Sequence, residues 1–146
     1  MYDGLKSLND KMVAARKQLE ADGELNLKAA FREFFEKHPE VKEVVWNQYT
    51  PYFNDGETCT FGVNDWALKI DGVKSTDKYS DDTDYVGPYD MREAIGLTPN
   101  TSAVLKQDVS ALFDLAGNEV MELVFGDHAK VVASPDGFNV EEYEHD

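Results

Sequence analysis

The side chains that do most protein chemistry are thinly spread in this 146-residue chain, which has one cysteine, three histidines and 29 acidic residues. The cysteine sits in Gln48-Tyr-Thr-Pro-Tyr-Phe-Asn-Asp-Gly-Glu-Thr-Cys-Thr-Phe61. A nucleophilic thiol needs exposure and a nearby base, whereas Cys59 falls on the inward positions of an alternating pattern and is expected to be buried. His38 stands at a helix end, His128 at a strand start and His145 in the C-terminal tail. None has metal-ligand spacing such as His-x-x-x-His. The nearest approach to a metal site is Asp127-His128 facing Glu144-His145 across a hairpin. Counting from Asp82 puts Asp84, Gly87, Asp90 and Glu93 at positions three, six, nine and twelve of a calcium-binding loop. Val86 at position five offers no oxygen and Pro88 stands at position seven, so the expectation is a solvated acidic loop. Glycine-rich phosphate motifs are absent, and carboxylates are too numerous for a pair to be informative. These residues predict no enzyme, no metal and no cofactor.

Charge is more informative than motif. Residues 1–42 carry eight Lys/Arg and eight Asp/Glu, whereas residues 43–146 carry six and twenty-one, so the entire net charge of −15 lies in the second segment. Such a surface repels phosphate backbones and anionic lipid, and it attracts basic protein surfaces at rates that fall with salt. Direct nucleic-acid and membrane binding are therefore not expected. The same acidity also keeps a protein in solution. The single cysteine allows no internal disulfide, and the first residues lack the order of a secretory signal, which together point to the cytoplasm.

One domain is expected, built by elements of both kinds. Leu5, Leu8, Met12, Ala15 and Leu19 recur at helical spacing and predict a first helix ended by Asp22-Gly23. Leu27, Ala30, Phe31, Phe34 and Phe35 predict a second, ended by His38-Pro39. The second stripe, with three phenylalanines, reads as core. Val44–Phe53, Thr58–Val63 and Trp66–Ile70 read as a three-stranded meander with turns at Asn54–Glu57 and Asn64-Asp65. A two-residue turn at Asp55-Gly56 sets Tyr52 opposite Cys59 and Tyr49 opposite Gly62, with Trp46, Tyr52, Cys59, Phe61 and Val63 on one buried face. Pro51 cannot donate to a ladder, which places its strand at an edge or bulge. Residues 74–90 have no periodicity and read as a long acidic loop. A third helix follows a cap at Asn100 or Thr101 and stops at Gly117, and a short fourth spans Asn118–Phe125. The strands His128–Ser134 and Phe138–Tyr143 form a second hairpin around Ser-Pro-Asp-Gly. The fold class is α+β, an antiparallel sheet of about five strands with helices on one face.

The segments Trp46–Phe61 and Phe125-Gly-Asp-His128, together with the acidic end Val140–Asp146, are similar to those of small uncharacterised acidic proteins of tailed bacteriophages and some bacteria. They cover less than a fifth of the chain. No functional residue carries over, because that family has no assigned activity. The resemblance implies a phage setting and a host-cell cytoplasm. Combined with the charge, it leads to the expectation of a binder that docks on the basic surface of a host protein and competes with nucleic acid at a basic groove. The expected contact residues are Asp77, Asp81, Asp82, Asp84, Asp90, Glu141, Glu142 and Glu144. Convergence of these carboxylates on one face would favour nucleic-acid mimicry. Two other classes compete with this reading: a metal-dependent module or small enzyme around residues 77–93, and a virion or assembly component. The oligomeric state is not set by the sequence.

Overall fold

The first 37 residues lack any proline, and apart from two glycines they are rich in good helix formers, which favours a long helix. The computed structural model, which describes residues 1–52, 56, 59–77 and 82–144, places them in one helix, α1 (Asp3–Lys37). The expected break at Asp22-Gly23 does not occur. Gly23 instead permits close helix packing: a Cβ there would stand 2.8 Å from Cγ2 of Val124. The glycine is a contact, not a stop. Only the second half of α1 enters the core, through Leu27, Phe31, Phe34 and Phe35. Those four are buried, as the core reading of their stripe required, whereas the stripe at Leu5, Leu8, Met12 and Leu19 is exposed.

Strands β1 (Val41–Tyr49), β2 (Gly62–Ile70), β3 (Tyr85–Val86), β4 (Ala129–Ser134) and β5 (Gly137–Glu142) form one antiparallel sheet in the order β3-β2-β1-β4-β5. The α+β architecture is as the sequence pattern indicated. β1 is the central strand rather than an edge, and Pro51 lies beyond its end. The expected pairing of Tyr49 with Gly62 is present. Outward of that pair no strand forms among the described residues, and the turn at Phe53–Asp55 and Glu57-Thr58 lies outside them. Tyr52 is 69 % exposed, so it is not a core residue. Cys59 is half-buried. Asn64-Asp65 is no turn either. It is part of a bulge within β2, where the register shifts opposite Val45 and Asn47 and Asp65 adopts a left-handed backbone (φ 56°).

Residues 74–90 contribute more than a solvated loop. Tyr85 and Val86 pair with Lys69 and Leu68, and Val73, Ser75, Val86 and Met91 are buried. A 3₁₀ turn at Met91–Glu93 leads to α2 (Pro99–Phe125). Its N-cap is Thr98, not Asn100 or Thr101: the Thr98 hydroxyl accepts from the Thr101 amide at 3.2 Å, with Pro99 at the first helical position. Gly117 has a non-helical backbone and divides α2 into two halves, as its stop signal implied.

Both helices lie on one face of the sheet. Trp46 stacks on Phe31 and meets Phe113 and Phe125 edge to face, joining β1 to α1 and to both halves of α2. Gln48, fully buried on the same face, accepts from Trp46 Nε1 (3.0 Å) and donates to the carbonyls of Met121 (2.9 Å) and Gly126 (2.7 Å). The amide thus gives the Gly126 carbonyl, just past the end of α2, a partner and adds a second bond to the Met121 carbonyl. His38 at the C-cap of α1 is held by Asp108 of α2 (2.6 Å), which also pairs with Lys37 (2.9 Å). The His38 and Lys37 hydrogen bonds hold the Asp108 carboxyl below its ordinary range.

Candidate functional site

The bulge in β2 re-aims its side chains, as bulges near functional sites do. Beside it runs the chain segment that leaves β3. Together they enclose an open groove of about 500 Å³ lined by Val63, Asn64, Asp65, Trp66, Ala67, Tyr85, Gly87, Pro88, Tyr89 and Asp90. Three aromatic rings and two carboxylates therefore share one concave surface. Tyr89 is 95 % exposed. Tyr85 is fixed from behind: its hydroxyl donates to Glu43 Oε1 at 2.7 Å, and burial, followed by that hydrogen bond and the Glu43 and Asp82 charges, pushes its pKa up to about 12. The phenol is neutral at all physiological pH. Asp90 is oriented by Ser75 Oγ (3.4 Å) and faces the Gly87 amide (3.5 Å). Aromatic faces beside carboxylates form a receptor for Arg or Lys side chains, through cation–π attraction and charge-assisted hydrogen bonds.

Four of the expected contact residues gather at this edge of the sheet. Asp82 accepts from the Asp84 amide (3.0 Å), Asp84 pairs with Lys74, and the Asp77 amide donates to Ser75 Oγ (3.1 Å), the hydroxyl that also reaches Asp90. Asp81 lies outside the described residues. Glu141 and Glu142 are on β5, the opposite edge strand, with Glu144 just past it. β3 pairs at the level of Leu68, Val44, Ala133 and Phe138, whereas Glu142 sits level with Ala129, Gln48 and Val63. Four strand spacings across and four residues along separate the two groups by roughly 20–25 Å. They occupy diagonal corners and do not converge.

The calcium-loop alignment is not assembled either, since Val86 is a buried strand residue in its middle and Asp84 is engaged by Lys74. Among the described residues no three His, Cys, Asp or Glu side chains are grouped to hold a metal, and His145 of the suggested second-hairpin pair lies outside them. Asp127 instead ties the end of β1 to the start of β4. Its carboxylate accepts from the Thr50 amide (2.7 Å), the Thr50 hydroxyl (2.8 Å) and the His128 amide (2.9 Å). Burial pushes its pKa up, but those hydrogen bonds and the His128 charge prevail and hold it below the ordinary range. Here Tyr52 stacks on His128 (4.9 Å, 16°) and Tyr49 lies against Tyr143 (5.6 Å). Desolvation, then the neighbouring Tyr49 and Asp65, raises the Tyr143 pKa.

The groove residues Asp65, Trp66 and Tyr89 were not singled out by the sequence. Asn64-Asp65 resembles a turn, and the bulge instead brings it to the wall of the groove. The signal present was the tyrosine content of 74–90 among its acidic residues. No helix among the described residues is long and apolar enough to cross a membrane. Comparison with known proteins finds no matching family, no matching curated relative and no matching solved structure.

Proposed function

We propose that the protein is a non-enzymatic binder that engages a basic protein surface, with the groove at the β2 bulge as its anchor for an Arg or Lys side chain. The observation that carries this reading is the placement of Asp65 and Asp90 beside Trp66, Tyr85 and Tyr89 in one open groove. The acidic excess of residues 43–146 supports it by attracting such a surface over distance. A phage setting and a host protein as partner rest on the resemblance of the 46–61 segment, and competition with nucleic acid follows where the partner's basic surface is its nucleic-acid groove. The diagonal separation of the two acidic corners favours a broad contact over a single file of phosphate-like charges. Capture from host lysate tests the proposal when native protein is compared with an Asp65→Asn/Asp90→Asn variant at two salt concentrations. A partner retained by the native protein at low salt and lost with either the variant or added salt is the expected result. Equal retention by both proteins would contradict it.

A further inference from the structure

The N-terminal half of α1 has an apolar stripe that its own fold does not use. Leu5, Leu8, Met12 and Leu19 are 55–68 % exposed, although they and Ala15 recur at intervals of three, four, three and four. That alternation is the a/d seam of a two-helix contact, narrower than the stripe a globular core requires. α1 is about 52 Å long, and its 17 residues from Asp3 to Leu19, about 25 Å, precede every buried position. Beside this seam runs a groove of about 630 Å³ between α1 and the second half of α2, lined by Met12, Val13, Arg16 and Leu19 on one side and by Glu119, Glu122 and Leu123 on the other.

Charge identifies the occupant. Residues 1–19 contain Lys6, Lys11, Arg16 and Lys17 against Asp3 and Asp10, a net of +2, which leaves −17 on the remainder. Two copies therefore repel least where these stretches meet, and the Glu119 and Glu122 side of the groove offers the basic stretch of another copy opposite charge. We propose that the surface is completed by a second copy of the chain, its α1 lying antiparallel with the two Met12 side chains near the centre. Leu5 and Leu8 of each copy then enter the other's groove. Lys6 lies two turns before Val13 on the flank that borders the groove, so each Lys6 approaches the partner's Glu119 and Glu122. The antiparallel arrangement also directs the two acidic bodies toward opposite ends of the helix pair. A parallel pair would set them side by side. An anionic membrane suits the basic amphipathic stretch alone but is repelled by the rest of the chain.

Sedimentation of the full-length protein at about 100 μM, where even a weak dimer is populated, tests the proposal. The expected mass is that of two chains, reduced to one by Met12→Glu with helix content retained, since Met12 is solvent-exposed in the single chain. In a Cys59→Ser background, Met12→Cys should form a disulfide-linked dimer at least tenfold faster than Leu5→Cys. A one-chain mass for the native protein, or a two-chain mass for Met12→Glu, would overturn the proposal. Faster cross-linking of Leu5→Cys would overturn the antiparallel arrangement. Sedimentation of a one-chain species with phosphatidylserine vesicles would assign the stripe to lipid instead.

Discussion

Single residues in this chain are legible when their chemistry has one use and deceptive when it has two. Gly117 and Gly126 signal helix ends and are found there, whereas Gly23 carries the same signal and serves close packing against Val124. Tyr52 alternates correctly with Trp46 for a buried position, yet β1 ends at Tyr49, so the alternation past it has no sheet to act on. Replacing Tyr52 by Ala should therefore change stability by less than about 1 kcal/mol, the usual range for an exposed site, and a thermal melt would measure it. Gln48→Ala should cost far more, about 2–4 kcal/mol in denaturant unfolding, because it strands the Trp46 indole N–H in the core and removes the amide's bonds to the Met121 and Gly126 carbonyls. Gly96 has φ 88°, and a Cβ there would stand 2.3 Å from the Gly72 carbonyl oxygen, so Gly96→Ala should destabilise by a similar amount. Asp108 carries a pH dependence. Its native pKa is depressed by His38 and Lys37, so its contribution is fully present above the unfolded-state value and vanishes as pH falls through the native value. Asp108→Asn should thus lower stability at neutral pH, with the gap to the native protein closing in acid.

Elements were legible wherever hydrophobic period and turn chemistry agreed. The second hairpin is the clearest case: Ser-Pro-Asp-Gly sits between two alternating runs, and the observed β4 and β5 bounds differ from the expected ones by a single residue at each end that moved. β3 was illegible because two residues carry no period, and its pairing with Lys69 and Leu68 is set by tertiary packing around Val86 and Met91. The bulge in β2 was illegible for the opposite reason, since Asn-Asp has strong turn chemistry that the sheet overrides. The candidate groove lies between these two elements, which explains why the sequence pointed to carboxylates of 74–90 but not to the surface they share with β2. Substitutions on the two walls of the groove follow from this placement. Trp66→Ala and Tyr89→Ala should each weaken binding to a basic partner about two- to fivefold, because a cation–π contact at an exposed site is worth about 0.5–1 kcal/mol. Tyr89→Ala should leave the melting temperature unchanged, given its exposure.

Across the whole molecule, charge and shape divide the chain into parts with different roles. The helices cover one sheet face through Trp46, Phe31, Phe113 and Phe125, and the near-neutral N-terminal stretch runs along the outside of that layer. Two groups of carboxylates stand at diagonal corners of the sheet, Asp77, Asp82, Asp84 and Asp90 at the one that contains the aromatic groove and Glu141, Glu142 and Glu144 at the other. The overall imbalance was visible in the sequence, but its distribution was not, because strand order decides which loops become neighbours and no local signal encodes it. The functional reading stands or falls on whether this groove binds basic side chains. The chain has two tryptophans, of which Trp46 is buried and Trp66 lines the groove, so fluorescence quenching reports on the site directly. The decisive measurement is a titration with an arginine-rich peptide followed by that emission. A cation-binding groove should give saturable quenching whose affinity falls at least tenfold between about 50 and 200 mM salt and again with Asp65→Asn/Asp90→Asn, as expected when paired charges dominate association. No saturable response, or one indifferent to both salt and the double substitution, would refute the groove as a receptor for basic side chains.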